Sequence, residues 1–199
     1  MKTFLMVLAS LLIASSLPAQ ETLISGDVEF GGYGGPFIQC TRVNGEFGLL
    51  VGGGGGLIID HTVSLGGAGY GLTNDVSEAS APAGRPYINL AYGGGFIQYI
   101  HRSDDLMHLT GALLIGGGGV GYRAAYGAYA EGRASSDDEM NDAFFILEPS
   151  VDGVLNVAKN VRISVGVGYR YVSGIDAPGL SNSDIAGPSV RLMFSFGSF

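Results

Sequence analysis

The sequence predicts an all-β chain, an up-and-down antiparallel transmembrane β-barrel of about eight strands. Three observations lead there. The first is the run Val161 to Val172, which alternates without error. Val161, Ile163, Val165, Val167, Tyr169 and Tyr171 fall on one face, and Arg162, Ser164, Gly166, Gly168 and Arg170 on the other. Successive side chains of a strand point to opposite faces, so one side of this strand is greasy and the other wet. The second is a similar run, Val190 to Phe199, which ends on an aromatic residue. The third is a secretion signal at the N-terminus.

That signal spans residues 1–19. Lys2 supplies the basic region, Phe4 to Ile13 the apolar core, and small residues precede a cut after Ala19. The apolar core is about ten residues, too short to cross a bilayer. Residues 20–199 then form one barrel domain. Removal of Lys2 takes the mature net charge from −8 to −9. No later stretch is apolar over about 18 residues, which excludes helical spans. Export of a chain that spans a membrane with strands implies the bacterial outer membrane.

Composition agrees. Glycine is extreme, 35 of 199 residues, without the period of collagen. Glycine-rich alternating segments suit a tight barrel whose backbones approach closely. Mean hydropathy is +0.31, high for an exported chain with no long apolar helix. Few Lys or Arg are present to neutralise phosphates, so nucleic acid is not an expected partner. Cys40 is the only cysteine, so no intrachain disulfide can form.

The strands read as about 28–42, 46–59, 62–72, 86–101, 106–123, 143–157, 161–172 and 188–198. No helix is expected after the signal. Asn44-Gly45 is a strong two-residue hairpin signal. The connections at Asp60-His61, Arg102 to Asp105, and Ala158 to Asn160 are also short. Those at Thr73 to Arg85, Ala124 to Asp142, and Ser173 to Gly187 are long and polar. Outer-membrane barrels combine short periplasmic turns with longer outside loops. With both termini in the periplasm, the three long connections face outside and the short Asn44-Gly45 connection is the exception.

Register can be argued from turn parity. On strand six, Phe145, Leu147, Pro149, Val151, Leu155 and Val157 share the greasy face, and Glu148, Ser150, Asp152 and Asn156 the wet one. A three-residue turn at 158–160, with Asn160 left-handed, would pair Val157 with Val161 and keep both greasy faces together. The same register sets Glu148 opposite Arg170 and Asn156 opposite Arg162. Strand four is less regular. Ile88, Leu90 and Phe96 share a face with Gln98, which suggests a bulge.

There is also an internal match. Tyr33-Gly-Gly-Pro-Phe-Ile-Gln39 resembles Tyr92-Gly-Gly-Gly-Phe-Ile-Gln98, and Leu49 to Gly55 resembles Leu113 to Gly119. Strands one and two thus resemble four and five. An offset of three strands reverses direction, which a simple duplication would not do. Either glycine packing has converged or the strand count is wrong by one, and convergence is favoured.

Candidate chemistry is sparse. Glu148, Asp152, Arg162, Arg170 and Arg191 would face the lumen of a barrel this small, which side chains fill. A mutually satisfied polar core outweighs an ion path, because buried charges must be paired. Gly52 to Gly56 lacks the Lys-Ser/Thr of a phosphate loop and reads as close-packed strand. His61, His101 and His108 lie at or beside short turns on the periplasmic side, the wrong end for a rim enzyme. Zinc ligation by His101 and His108 lacks further ligands. The acidic run Asp137 to Asp142 lacks the central Gly and closing Glu of a calcium loop, and reads first as solvated loop, with weak divalent-cation binding as the alternative.

The chain resembles a family of Gram-negative outer-membrane β-barrel proteins of the small eight-stranded type. Gly31 to Gly35, Val51 to Thr62, Leu65 to Leu72, Phe144 to Pro149, Gly168 to Gly174 and Gly179 to Asp184 carry the resemblance, which covers most of the mature chain. It implies location and architecture and brings no catalytic residues. One departure stands out. The terminal aromatic of such barrels shares its face with the apolar positions before it, whereas Phe199 is out of phase with Phe196, Phe194 and Leu192. The strand is therefore expected to end in a bulge or to carry an imperfect assembly signal.

The expected function is that of a non-enzymatic outer-membrane barrel with a filled polar lumen, serving envelope integrity or surface interaction through its outer loops. The alternatives are a barrel enzyme acting on lipid or peptide, and a soluble secreted β-protein. No catalytic, cofactor-binding or metal residue is assigned. The expected partners are outer-membrane lipid, lipopolysaccharide and the barrel-assembly machinery.

Overall fold

The computed structural model describes residues 28–79, 81, 86–124 and 142–199. The signal segment and most of the acidic run Asp137 to Asp142 lie outside these residues. Eight strands follow one another: β1 (Phe30–Val43), β2 (Glu46–Ile59), β3 (Val63–Leu72), β4 (Tyr87–His101), β5 (Met107–Arg123), β6 (Asp142–Ala158), β7 (Val161–Ser173) and β8 (Gly187–Ser198). Every boundary falls within two residues of the sequence expectation. Each strand pairs antiparallel with its neighbours, and β8 returns to β1, so the sheet closes on itself. Closure leaves no unpaired sheet edge. The start of β1, the end of β8 and the turns at 60–62, 102–106 and 159–160 share one end, here the terminal end. The last residues of β1, β3, β5 and β7 reach the other, the loop end.

The alternation in β7 has the orientation that its side chains demand. Val165, Val167, Tyr169 and Tyr171 are exposed on the outside, and Arg162 and Arg170 are buried within. Outward residues of the other strands repeat the pattern, among them Leu57, Leu65, Ile97, Leu109, Ile115, Val151, Val190 and Phe194. A surface this apolar all the way round a barrel is stable against lipid hydrocarbon and not against water.

The turns follow local chemistry. Asn44 and Gly45 take φ of 50° and 75°, the double left-handed geometry of a two-residue hairpin turn. Asp60 and His61 are also left-handed, at 50° and 52°, within the three-residue connection between Ile59 and Val63. The β6–β7 turn departs from expectation. Ala158 pairs with Val161 around the two-residue turn Lys159-Asn160, and the register shifts between Asn156 and Ala158. Val157 is thus a bulged residue, and Asn160 is not left-handed. A two-residue turn alone would have flipped one strand, and the extra residue restores parity. Asn156 still pairs with Arg162, as expected.

No bulge occurs in β4, whose pairing with β3 and β5 is unbroken. Ile88, Leu90, Phe96 and Gln98 share the inward face. The mistaken expectation came from assuming a polar lumen. Near the loop end the lumen is apolar, with Val43, Leu50, Leu72, Ile88, Leu90, Val120 and Ile146 in one buried cluster. Inward glycines make room for inward rings. A Cβ at Gly52 would sit 2.6 Å from the Phe37 ring, and one at Gly66 would sit 2.7 Å from Phe96. The glycine run of β2 is close-packed strand, as expected.

A single helical turn, α1 (Asn182–Ile185), lies between β7 and β8 where no helix was expected. Ser181 caps it, and the Asp184 carboxylate accepts from the Ser181 backbone N–H at 2.8 Å and from its hydroxyl at 2.6 Å. So short a segment has no apolar period to read.

Candidate functional site in the barrel lumen

The lumen is layered along its axis. At the loop end, Ile175, Ala177, Leu180 and Ile185 from the β7–β8 connection pack with Val76 and the inward strand residues into one apolar plug. The short Asn44-Gly45 turn is the post to which this plug is tied. The Asn44 side chain donates to the Ser77 carbonyl at 2.9 Å and to the Glu78 carboxylate at 2.7 Å, and its backbone N–H donates to the Asp184 carbonyl at 2.6 Å. Arg123, almost fully buried, pairs with Asp75 at 2.8 Å. The short first connection thus bonds both the β3–β4 and the β7–β8 connections.

Below the plug lies a polar layer centred on Glu148. Its carboxylate accepts from Gln39 Nε2, the Ser189 hydroxyl and the Tyr92 hydroxyl, each at 3.0 Å. The Tyr92 oxygen in turn accepts from Gln39 at 3.0 Å and from Arg170 Nη1 at 3.1 Å. Glu148 and Arg170 therefore share a level, as the register predicted, but communicate through a tyrosine hydroxyl. The rest of the Arg170 guanidinium is turned upward, donating from Nε and Nη2 to the Ile185 carbonyl at 2.9 and 2.6 Å. It ties the polar layer to the plug.

Arg191 and Asp152 make a direct ion pair in the lumen. Arg191 Nη2 lies 2.8 Å from Asp152 Oδ1, and its Nη1 donates to the Tyr70 hydroxyl at 2.9 Å. Gly166 stands between them in the ladder, pairing with Asp152 on one side and Arg191 on the other. A Cβ at Gly166 would run into the Asp152 carboxylate, so the missing side chain is what lets the charges meet. The Tyr70 ring stacks on Tyr92 at 4.6 Å and meets Phe37 at 4.4 Å, which holds both hydroxyls in place.

Arg162 sits apart, near the terminal end. Its guanidinium lies 4.0 Å above the Phe199 ring. This explains the phase of the terminal aromatic. The register of β7 with β8 is unbroken to Phe196, so position 199 falls on the inward face. Phe199 covers the lumen from below instead of joining the lipid face, and no bulge ends the strand. Asn156 does not bond Arg162. It donates to the Ser103 and Asp105 carbonyls at 2.9 and 2.7 Å and fixes the β4–β5 turn.

The histidines do not converge. His61 contacts Glu29 at 2.8 Å in the β2–β3 turn, His101 is exposed on the outer face, and His108 is buried in the lumen. Among the described residues no group of His, Cys, Asp and Glu could hold a metal ion. Sequence reasoning found the charged members of the lumen and missed Gln39, Tyr70, Tyr92 and Ser189. The parity of β1 and β4 marks Gln39 and Tyr92 as inward, and that was the available signal.

No protein-family model matches the chain, and no curated protein matches it in sequence. Solved structures do match in fold. Neisserial surface protein A is 12% identical, with a TM-score of 0.60 over 87% of this chain and 99% of that one. The N-terminal β-barrel domain of Pseudomonas aeruginosa OprF is 11% identical, with a TM-score of 0.55 over 84% and 96%. The outer membrane protein OprG of the same species is 11% identical, with a TM-score of 0.50 over 84% and 94%. The chain thus has the closed eight-stranded, up-and-down architecture of bacterial outer-membrane barrels.

Proposed function

We propose that the mature chain, residues 20–199, is a non-enzymatic outer-membrane barrel that supports envelope integrity and carries its loop end to the cell surface. The observation that carries this reading is the plug. Ile175, Leu180 and Ile185 from one connection and Val76 from another seal the loop end over an apolar layer, and Arg170 fastens that seal to the polar layer beneath. Side chains that close a lumen in this way make a rigid post and not a channel. The apolar outer face supports membrane residence over the soluble alternative. The enzyme alternative would need a nucleophile, base and orienting carboxylate at the outer rim. The histidines lie at the opposite end.

Planar-bilayer recording tests the closed lumen. The purified barrel should insert without producing steady conductance steps. Reproducible steps from the intact protein would contradict the reading. A deletion strain should in addition become sensitive to detergent and regain resistance on complementation. Unchanged resistance would remove the envelope role.

A further inference from the structure

Between the polar layer and Phe199 the lumen holds a cavity of about 80 Å³. A single water needs only about 10–15 Å³, so the space has room for several solvent-sized groups or one small organic molecule. Phe37, Phe96, Leu114 and Met193 supply apolar lining. His108, Arg162 and Arg191 line it too.

The hydrogen-bonding groups of this cavity are out of balance. Its carboxylates are occupied: Glu148 takes three donors, and Asp152 takes Arg191. Several donors are not. Nε of Arg162 and Nε of Arg191 are buried without a hydrogen-bond partner, and so are both ring nitrogens of His108, of which a neutral imidazole donates from one. Arg162 and His108 are 8% and 6% exposed. The hydrogen bonds that Arg162 makes, to the Ser103 carbonyl and hydroxyl, are both 3.3 Å long, beyond the usual N–H···O range. The Asp104 carboxylate acts on Arg162 only through space, and a buried guanidinium without a bonded carboxylate is costly. The group that complements it is acceptor-only, planar and anionic, which describes a carboxylate. A cation would meet two guanidinium groups, and an inorganic anion would leave the apolar lining residues uncovered.

We propose that the terminal half of the lumen is a binding site for a small organic monocarboxylate with an apolar body. The carboxylate sits against Arg162 and His108, and the body packs on Phe37, Phe96, Leu114 and Met193. Entry is from the terminal end, past Phe199. That residue lies beyond the last ladder pair, Gly32 with Ser198, and rests by its ring on Arg162. The plug closes the far side, so the ligand is held and not passed through.

Propionate is a suitable probe because it is water-soluble and small enough for the cavity. The full mature barrel, in lipid nanodiscs with labelled arginine, is titrated while the Nε–H resonances of Arg162 and Arg191 are followed. Propionate should shift both resonances saturably. Propionamide, propylammonium and chloride should bind at least about tenfold more weakly or not at all. Arg162→Met should weaken propionate by about tenfold or more, read at Arg191. Ala112 lines the cavity and has no polar role, so Ala112→Leu should fill it and abolish binding even if Arg162→Met does not fold. The proposal is overturned if propionate gives no saturable shift, if propionamide or chloride matches it, or if Ala112→Leu leaves it unchanged.

Discussion

The Tyr33 hydroxyl donates to Gln98 at 2.8 Å, and Gln39 donates to the Tyr92 hydroxyl at 3.0 Å. These are the end residues of the two matching segments Tyr33 to Gln39 and Tyr92 to Gln98. The tyrosine of each bonds the glutamine of the other. The segments lie on β1 and β4, which run in opposite directions, so the matching is reciprocal across the lumen. The strand count of eight removes the alternative that it was wrong by one. An antiparallel offset, which rules out simple duplication, is what this crossed pairing requires.

The two crossed bonds differ in weight. Tyr33 makes one side-chain bond, whereas the Tyr92 hydroxyl joins Gln39, Glu148 and Arg170. Tyr92→Phe should cost about 2–4 kcal/mol, because it leaves buried charged groups short of a partner. Tyr33→Phe should cost about 1 kcal/mol. Urea unfolding of the two variants in lipid vesicles measures both. Equal losses would mean that Tyr92 is not the junction of the layer.

Glu148 and Arg170 should be coupled only through that hydroxyl. Glu148→Gln and Arg170→Met should each destabilise by about 1–4 kcal/mol, and the double variant by less than their sum. Repeating the cycle in a Tyr92→Phe background should make the two losses additive. Coupling that survives without the hydroxyl would point to a direct pair.

Gly166 separates Asp152 from Arg191 in the ladder without keeping them apart in space. Gly166→Ala should destabilise by about 1–3 kcal/mol, since the added methyl displaces the carboxylate from its guanidinium. Gly153, which faces outward and whose added Cβ would meet nothing closer than 3.8 Å, is the control, and Gly153→Ala should be close to neutral. Unfolding midpoints of the two variants make the comparison. A neutral Gly166→Ala would show that the pair does not need the gap.

Face decides the cost of charge. Val165 is exposed midway along β7, so Val165→Arg should impair insertion by about 2–4 kcal/mol. In a Cys40→Ser background, Val165→Cys should react with a lipid-soluble thiol reagent and resist a charged one. Ready labelling by the charged reagent in intact membranes would mean that this face does not meet lipid.

Strand positions were legible because side-chain parity and turn chemistry are local. Val161 to Val172 and Asn44-Gly45 each declare themselves within a few residues. The lumen was legible only in its charges. Which face of a strand points inward is not a local property, so Ile88 and Leu90, which line the apolar layer, and Phe96, which lines the cavity below it, looked like a lipid face. The partners of Glu148 were hidden for a similar reason. Gln39 lies 109 residues away in sequence, and only closure of β8 on β1 brings it near. The Val157 bulge was missed because a three-residue turn and a bulged two-residue turn preserve the same parity.

Fractionation of cells expressing the full chain tests the central claim most directly, that this barrel spans the outer membrane. The account predicts recovery in the outer-membrane fraction, retained after a high-urea wash and released only by detergent. Recovery in the soluble periplasmic fraction would contradict it.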